Sequence, residues 1–269
     1  LTTHCVVVGG AGDCAAGAVG NGIVKRGLLS TSIGTSGVVF AHSDQPQFDP
    51  QGRLHTFCHA VRGKWHMMGV TLTAGGSLGW FRDALCPGLK FEKLTTEANA
   101  TPPGAEGLQF LPYLSGERTP HLDPHARGAL IGLTLKHTRG HVVRAILEGV
   151  TFSLRDSLAI MQDLGVPVKQ IRASGGGSKS PFWRQLQADV FGKPVTTMVA
   201  DEGPAYGVAL LAAVGAGHYK NITEACQATV KTSTSTKPNA KHCKMYNKTF
   251  PVFQGLYSAL KDEFPKLQS

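Results

Sequence analysis

The second half of the chain alternates between helical and strand-like apolar patterns, and this alternation restricts the fold more than any other feature. Apolar residues recur every three or four positions from Thr138 to Leu164 and the pattern stops at Gly165, which predicts one long amphipathic helix. A strand-like run (KQIRASGGG) follows, and then a helix (PFWRQLQADVFG), a strand (PVTTMVA) and an alanine-rich helix (PAYGVALLAAVGAG). Helices that alternate with strands in this way predict an α/β fold in which a parallel or mixed sheet is flanked by helices.

Shorter elements continue this pattern through the first half of the chain. HCVVVGG is predicted to be a short buried strand and CAAGAVGNGIV a small-residue helix, while LLSTSIGTSGVVFAHS is predicted to form two β runs that turn at Gly34–Gly37. KWHMMGVTL is predicted to be another strand, followed by the amphipathic helix GSLGWFRDAL. Near the C-terminus, a Ser/Thr/Lys-rich loop is expected to lead into a last amphipathic helix, KTFPVFQGLYSALKDEF.

Length, hydropathy and cysteine content indicate a cytoplasmic globular protein. The 269 residues, 42% of them hydrophobic, are enough for one large domain with a real core. No run of about 18 uninterrupted apolar residues predicts a membrane span, and we find no basic-then-apolar leader of the secretory kind. The six cysteines are far apart and form no CxxC pair, a pattern typical of reduced thiols.

The net charge of +9 restricts the class of ligand. A basic balance is compatible with nucleic acid, an anionic membrane or a phosphorylated small ligand. The chain has no basic stripe interleaved with aromatic residues and no nucleic-acid-binding signature, so a phosphate-bearing ligand is favoured. Five of the lysines lie between Lys231 and Lys248 without an acidic residue, and we predict a solvated basic tail there.

A single carboxylate, Asp13, lies in the glycine-rich turn GGAGDCAAG. Gly9, Gly10 and Gly12 allow a ligand to approach the backbone closely, and a carboxylate at that point suits a hydrogen-bond acceptor or a general base toward a hydroxyl. On this turn alone, the alternative that Asp13 is the N-cap of the following helix fits equally well. For Cys14, a small buried thiol is favoured over a covalent nucleophile, since no activating base is visible.

Three further glycine-rich turns follow strand-like runs. SIGTSGVVF exposes backbone N–H groups and two hydroxyls that suit phosphate oxygens, RASGGGSKSPFW offers backbone for a flat ring or a helix N-terminus for phosphate, and DEGPAYGVALLA is similar in style. Each turn by itself is an ordinary loop. Four such turns at strand ends together predict a nucleotide at the carboxyl ends of the strands.

The other polar and aromatic candidates are predicted to be structural. We expect Glu117, Arg118 and His121 to form a loop that an Arg–carboxylate pair pins under the cleft, in preference to a catalytic cluster. Trp80 and Trp183 lie on amphipathic stretches, which favours core positions, although Trp80 is placed where it could reach a nucleotide cleft.

A zinc site is the other function that the residue pattern raises. His55 and His59 would lie on one face if their segment were helical, and Cys58 and His66 are close in sequence. The strand-like KWHMM places His66 elsewhere, so we predict that the chain holds no metal through these side chains.

Six segments of the chain, taken in order, resemble the FGGY family of carbohydrate kinases: GGAGDCAAGAVGNGIV, SIGTSGVVFA, LHTFCHAVRGKWHMMGVTLTAGGSLGW, FLPYLSGERTPHLDPHARGALIGLT, ASGGGSKSPFWRQLQAD and DEGPAYGVALLAA. The resemblance runs from about Val6 to about Gly217 and concerns the C-terminal half of the family, with a looser match to the last helix. The pieces HTFCHA and KWHMM point to the xylulokinases within this family.

This resemblance implies an actin-like, ribonuclease-H-like ATPase fold whose two domains close on the substrates. It implies ATP-dependent phosphorylation of D-xylulose on its 5-hydroxyl, with Mg²⁺, and the expected partners are a small-molecule sugar and ATP, with no nucleic acid or membrane; a homodimer is one assembly to consider. The family's catalytic base falls on Asp13, and Asp13 and Cys14 are expected to contact the sugar. The phosphate hairpin falls on Gly34, Thr35, Ser36 and Gly37, and the adenosine loop on Gly175, Gly176, Gly177 and Ser178.

Two departures from the family limit this expectation. Cys14 stands where the family usually has Asn, and a thiol is the weaker hydrogen-bonding group. The N-terminal domain is absent, so residues 1–220 are expected to be the nucleotide-binding domain, residues 221–269 to complete it, and the isolated chain to be inactive. A non-catalytic nucleotide-binding module and a kinase for glycerol, ribulose or gluconate stay open as alternatives. A filament or chaperone ATPase on this fold is disfavoured, since those lack a GAGD-type base beside a sugar cleft.

Overall fold

The computed structural model describes residues 5–200 and 202–267. The helices in these ranges are α1 (Asp13–Gly20), α2 (Gly75–Leu85), α3 (Phe91–Ala100), α4 (Arg139–Asp163), α5 (Gly176–Lys179), α6 (Pro181–Phe191), α7 (Pro204–Gly215), α8 (Ile222–Thr229) and α9 (Ala240–Leu260). The strands are β1 (Leu28–Ile33), β2 (Gly37–Ser43), β3 (His55–Cys58), β4 (Trp65–Thr71), β5 (Gln109–Leu111), β6 (Ala129–Ile131), β7 (Gln170–Gly175), β8 (Val195–Met198) and β9 (Thr232–Thr236). None of the described helices is long and apolar enough to cross a bilayer.

Seven of the strands form one mixed sheet in the order β3-β4-β2-β1-β7-β8-β9. β1 runs parallel to β7 and β7 runs parallel to β8, while the other neighbours in this sheet are antiparallel. β5 and β6 form a separate antiparallel pair. The predicted mixed sheet with helices is therefore confirmed.

Both faces of the central strands are covered by helices. Leu29 and Val39 belong to the main core cluster, which includes residues of α2, α3, α4, α6 and α9. Leu28 and Phe40, the neighbours of those residues along the strands, instead contact Ala18 of α1. Side chains alternate between the two faces of a strand, so this division shows that β1 and β2 lie between two helical layers.

α4 is the central helix of the core and matches the predicted helix over Thr138–Leu164. It begins after Thr138, which forms a reciprocal cap with His141, and its long buried stripe packs on the sheet and on α2, α3 and α6. A predicted long amphipathic segment has thus become the element on which the other helices are arranged.

A buried ionic network joins α4 to two other helices. The Arg144 guanidinium donates hydrogen bonds to Glu148 Oε1 (2.8 Å) and to the carbonyl oxygens of Ala98 and Thr101. The Tyr246 hydroxyl donates to the same oxygen of Glu148 (2.7 Å). These hydrogen bonds join the end of α3 and the first half of α9 to α4.

α1 and α7 cross at a distance that only glycine permits. A Cβ atom at Gly207 would overlap the carbonyl oxygen of Ala16, and a Cβ atom at Gly20 would overlap that of Gly203. Gly203 belongs to the fourth glycine-rich turn, of which Asp201 lies outside the described residues. This turn therefore supports α1, and it does not belong to the cavity described below.

Two predictions for the ends of the chain are wrong. Of the expected strand HCVVVGG, His4 lies outside the described residues, and 5–10 form no strand, with Val7 85% exposed. A valine-rich run needs a neighbouring strand to bond its backbone, and none of the described strands pairs with it. The expected Ser/Thr/Lys-rich loop instead contains β9, an edge strand on β8. The five lysines of Lys231–Lys248 are exposed, so the segment is solvated as predicted, but it forms a strand and the start of α9 rather than an irregular tail.

Of the two tryptophans predicted to lie in the core, one is buried and the other is exposed. Trp183 is 4% exposed and donates its indole N–H to Thr151 Oγ1 of α4 (3.1 Å), so its core position is confirmed. Trp80 is 43% exposed, so a core position for it is wrong. α2 buries Leu78 and Phe81 on one face. Trp80 points away from this face, because residues two positions apart lie on different sides of a helix.

Three histidines lie buried in the layer between the sheet and α1. His59 Nε2 bonds the carbonyl oxygen of Ile23 (2.9 Å), the rings of His42 and His59 are 5.2 Å apart, and the ring of His66 stacks on Phe40 at 4.3 Å. Burial lowers the pKa values of His59 and His66 to about 4. These rings are therefore neutral at pH 7.

The helix needed for a His55–His59 pair is absent, because His55 begins the antiparallel strand β3 and His59 follows its end. Over 5–200 and 202–267, no group of three or more His, Cys, Asp or Glu side chains could hold a metal ion. The histidines pack instead as aromatic rings beneath α1.

We expect Gly207→Ala to lower the free energy of unfolding by about 2 kcal/mol or more, because its methyl group would force α7 away from α1. Gly255→Ala is the matched control, since no atom of residues 5–200 or 202–267 lies within 4 Å of a Cβ at this position in α9, and it should be neutral or stabilising by up to about 1 kcal/mol. Urea denaturation of both variants measures the difference, and equal stabilities would contradict the close crossing.

Buried His66 should make the stability of the fold depend on pH. Between about pH 6.5 and 4 an unfolded histidine binds a proton that folded His66 does not, so acidification in this range destabilises the fold. His66→Phe should flatten that loss, while His218→Gln, an exposed control, should not. Burial raises the pKa values of Glu117 and Asp156 to about 7, so these carboxyl groups make the free energy of unfolding change with pH in the opposite direction. The measurement is therefore the difference in unfolding free energy between each variant and wild type, taken from denaturation curves at several pH values. A His66→Phe curve parallel to wild type would show that His66 is not the group responsible.

Candidate active site

The site begins where β1 and β7 end. These strands are parallel, and their register sets Ile33 opposite Gly175. The chain continues from β1 into the hairpin 34–36 and from β7 into the turn that leads to α5. Two glycine-rich turns that are distant in sequence therefore lie side by side at the carboxyl edge of the sheet, the usual place for a ligand in an α/β fold.

The hairpin is held from behind by the start of α2. The N–H of Ala74 donates to the Thr35 carbonyl oxygen (2.7 Å), and the N–H of Gly75 donates to that of Gly34 (2.9 Å). A Cβ atom at Gly75 would lie 2.5 Å from the Gly34 oxygen, so glycine is required for this approach. Because the carbonyls are bonded to α2, the exposed side of the hairpin carries the Thr35 and Ser36 side chains.

Gly37 has a different environment from the rest of the predicted phosphate hairpin. It is buried at the start of β2, where a Cβ atom would lie 2.7 Å from Cγ2 of Thr71 and 2.9 Å from Cδ2 of Leu154. Its contribution is therefore to close packing beneath the hairpin.

The turn after β7 rests directly on the end of β1. Gly175 has φ +76°, and Cβ atoms at Gly175 and Gly177 would lie 2.6 Å from the oxygen and 2.7 Å from the Cβ of Ile33. Ser178 donates its hydroxyl to the Gly175 carbonyl oxygen (2.7 Å), and Ser180 caps α6. The turn is thus a compact strand-to-helix connection with an exposed backbone at Gly176.

These two turns share a cavity of about 670 Å³, a volume typical of small-molecule sites. It is lined by parts of the hairpin, the first turns of α2, the α3 helix, the turn after β7 and the start of α6: Ile33, Gly34, Thr35, Gly75, Gly76, Leu78, Gly79, Phe91, Glu92, Thr95, Thr96, Gly176, Gly177, Lys179, Ser180, Pro181 and Trp183. The structure therefore brings four of the predicted nucleotide-site residues into one cavity, while Ser36, Gly37, Gly175 and Ser178 are not part of its lining.

The wall formed by α3 was not predicted. Phe91, Glu92 and Thr95 line the cavity from this helix, and the Arg82 guanidinium lies 4.1 Å from the centre of the Phe91 ring. Lys179 adds a cationic residue to the lining. The segment FEKLTTEANA buries only Leu94 and Ala98, two apolar positions four apart, and this spacing was the one available signal for a helix.

Asp13 lies at the N-terminus of α1 and is exposed. Gly12 occupies the N-cap position, so the alternative that Asp13 is the N-cap is wrong; its Oδ1 accepts a hydrogen bond from the N–H of the next residue (2.7 Å). Among the residues that the structure describes, no atom lies within 4 Å of a Cβ placed at Gly9, Gly10 or Gly12, which leaves the turn open to a ligand on that side. Asp13 and Cys14 are not part of the lining of the cavity.

The thiol of Cys14 is half-buried rather than fully buried. Burial raises its pKa, and the charge of the adjacent Asp13 and a hydrogen bond to it act in the same direction. The thiol is therefore protonated at neutral pH and is a poor nucleophile.

Glu117 is buried close behind the hairpin. Its carboxylate accepts hydrogen bonds from Thr71 Oγ1 (2.5 Å) and from the N–H groups of Leu72 (3.0 Å) and Arg118 (2.7 Å). The Arg118 side chain is exposed, so the expected Arg–carboxylate pair is wrong: hydroxyl and backbone donors take the place of the guanidinium. His121 instead stacks on Tyr257, and burial lowers its pKa to about 4.

Comparison with known proteins gives one consistent result. A model of the FGGY family of carbohydrate kinases, C-terminal domain, matches residues 29–216. The xylulose kinase of Bacillus subtilis (strain 168) is 40% identical over 263 residues, which are 98% of this chain and 53% of that protein. The crystal structure of ligand-bound xylulose kinase from Lactobacillus acidophilus has a TM-score of 0.89 at 30% identity and covers 95% of this chain and 52% of that one. The gluconate kinase structure from the same organism has a TM-score of 0.90 at 29% identity, with the same two coverages.

The chain therefore spans about half the length of the relatives that it matches. The mixed sheet with helices on both faces is the actin-like ATPase fold that the resemblance implied. The family match covers most of the sequence and includes both turns of the cavity. On these grounds the chain belongs to the FGGY family of carbohydrate kinases and carries its C-terminal domain.

Proposed function

We propose that this chain is the nucleotide-binding half of an enzyme that phosphorylates D-xylulose to D-xylulose 5-phosphate with ATP. The observation that carries the proposal is the cavity at the ends of β1 and β7, shared by the hairpin and the turn after β7. The 40% identity to a xylulose kinase over nearly the whole chain supports the choice of sugar. In this reading residues 1–220 form the nucleotide-binding domain and residues 221–269 complete it.

The nucleotide is proposed to lie along the cavity with its ring on the turn after β7 and its phosphates on the hairpin. Gly175, Gly176, Gly177 and Ser178 would receive the adenosine, since a backbone without side chains leaves room for a flat ring. Gly34, Thr35, Ser36 and Gly37 would receive the phosphates, for which Thr35 and Ser36 supply exposed hydroxyls. The basic Lys179 in the lining favours an anionic ligand.

Asp13 is proposed as the catalytic base. Its exposed carboxylate would accept the proton of the sugar hydroxyl as that oxygen attacks the γ-phosphorus, while the bond from phosphorus to the ADP oxygen breaks. Asp13 and Cys14 would also contact the sugar, with the raised pKa keeping the thiol available as a weak donor. Because neither residue lines the nucleotide cavity, transfer requires the ligands to extend from the cavity toward α1.

Mg²⁺ fits this arrangement as an ion that arrives with the nucleotide. It keeps most of its water and is commonly held by phosphates plus one or two carboxylates, and Asp13 offers an exposed carboxylate. When bound, the ion neutralises charge on the phosphates. The side chains of this chain would then orient the hydroxyl and accept its proton.

A kinase for another sugar acid or polyol is the second candidate, because the gluconate kinase structure matches as well as the xylulose kinase structure. A nucleotide-binding module without catalysis is the third. A cytoplasmic location and a homodimer stay predictions.

The first test measures how much Asp13 contributes to turnover as the proposed catalytic base. The chain is fused behind the N-terminal half of the Bacillus subtilis xylulose kinase, and ADP release from Mg–ATP is followed with D-xylulose. Asp13→Asn should lower kcat by about 10²- to 10⁴-fold, the usual contribution of a general base, while binding of adenosine, which carries no phosphate or Mg²⁺, is unchanged because Asp13 lies outside the cavity. Turnover within about twofold of the unsubstituted fusion would overturn the assignment.

The second test measures the sugar specificity of the fusion and the activity of the 269-residue chain without the N-terminal half. The 269-residue chain alone should show negligible phosphorylation but retain Mg–ADP binding, because it spans only about half the length of its relatives while it contains the whole proposed nucleotide cavity. The fusion should prefer D-xylulose over D-ribulose, D-gluconate and glycerol in kcat/KM. A chain that turns over sugar alone contradicts the need for a second half, and a preference for D-gluconate supports the second candidate.

A further inference from the structure

Glu117 has no part in the proposed mechanism, yet it is a carboxylate that is 2% exposed and bound by several donors. Beyond its bonds to Thr71, Leu72 and Arg118, its Oε2 atom also lies 3.4 Å from the Ser153 hydroxyl of α4. Two N–H groups and two hydroxyls thus converge on its two oxygens. A carboxylate accepts from both N–H groups and from the Thr71 hydroxyl, since it carries no donor of its own, whereas the single hydroxyl proton of Ser153 is donated to Thr71 Oγ1 (2.9 Å).

The partners of Glu117 lead to the hairpin in one continuous path. Thr71 is the last residue of β4 and lies opposite Gly37 in the β2–β4 register, and its Cγ2 atom is the one that a Cβ at Gly37 would meet. From Leu72 the chain runs into the first N–H groups of α2, where Gly76 donates to the Thr35 carbonyl oxygen (3.1 Å), in addition to the bonds from Ala74 and Gly75 described above. The hairpin therefore rests on residues that Glu117 holds.

A second contact fixes the same point to the core. The Ser153 hydroxyl donates to Thr71 Oγ1 (2.9 Å), which in turn donates to Glu117. Ser153 is fully buried in α4, the central helix of the fold. Thr71 is thus held by both α4 and the loop that carries Glu117.

We propose that Glu117 is a positioning residue for the phosphate-binding hairpin and acts through Thr71 and the first turn of α2. The inference rests on the proposed function, in which the hairpin receives the phosphates of a nucleotide. Hydroxyl and backbone groups that bind phosphate must be held within a few tenths of an ångström to be effective. Glu117 supplies that support although it does not touch the ligand cavity.

Glu117→Gln is the informative variant, because glutamine keeps the shape but directs an amide N–H₂ toward groups that are themselves donors. Asp156→Asn is the matched control. Asp156 is also buried (4% exposed), and burial, together with the charge of Glu117, raises its pKa to about 7; its Oδ1 accepts from Gln254 Nε2 on α9 (2.7 Å) and not from a residue of β4 or the hairpin.

The experiment measures dissociation constants of Mg–ADP and of adenosine for the 269-residue chain by calorimetry, with thermal unfolding recorded in parallel. Glu117→Gln should weaken Mg–ADP by about tenfold or more, the usual effect of losing hydrogen bonds to a charged group. Adenosine, which has no phosphate for the hairpin, should weaken by less than about twofold. Asp156→Asn should leave the ratio of the two affinities unchanged, whatever its effect on the melting temperature.

The outcomes separate three situations. If Glu117→Gln weakens adenosine as much as Mg–ADP, or weakens neither, the positioning role is overturned while the nucleotide site stands. If the wild-type chain binds Mg–ADP no more tightly than adenosine, or binds neither ligand, the proposed phosphate site is wrong and the positioning role fails with it. If Glu117→Gln does not fold, Ser153→Ala decides, because it removes only the hydroxyl that holds Thr71 and should show the same selective loss for Mg–ADP to a smaller degree; an unchanged ratio there overturns the role.

Discussion

Parallel pairing of β1 with β7 is the interaction on which the candidate site depends. The register that sets Ile33 opposite Gly175 makes both strands end at one level, so that the hairpin after β1 and the turn after β7 open into a single cavity. Burial on both faces protects this register: Leu28 packs under α1 and Leu29 packs toward α4. A shift of one residue would exchange these faces and separate the two turns.

Six of the 17 residues that line the cavity are glycines, and their lack of side chains has a structural consequence. Gly75 and Gly177 allow α2 and the turn after β7 to contact the hairpin and the end of β1 closely. Such turns cannot hold their own shape, because glycine adds no packing of its own and is the most flexible residue. Their geometry must come from the layer behind them, which is Thr71, Ser153 and Glu117 for the hairpin and Ile33 of β1 for the turn after β7. The polar interior of the protein is thus connected to its proposed ligand site.

Much of the fold was predictable, and the errors have physical causes. The periodicity of α4 and the alternation around β1, β2 and β7 led to the correct elements because these segments bury long apolar stripes. The run HCVVVGG was wrongly predicted to be a strand. Valine favours strands in general, but a strand forms only where a neighbouring strand bonds its backbone. β9 and α3 were missed because they are polar: β9 is an exposed edge strand, and α3 buries two side chains. Of the site, the two turns were predictable, and the wall contributed by α3 was not.

The sequence by itself determined the strands and helices with long apolar stripes, the glycines that permit close turns, the presence of a carboxylate at Asp13 and the family to which the chain belongs. Only the tertiary structure decided which of these features meet. It joined the hairpin to the turn after β7, placed Asp13 outside their cavity, and satisfied Glu117 with Thr71 and Leu72 rather than with Arg118. The reason is that local patterns depend on a few neighbouring residues, whereas the partner of a buried polar group depends on the register between strands that are distant in sequence.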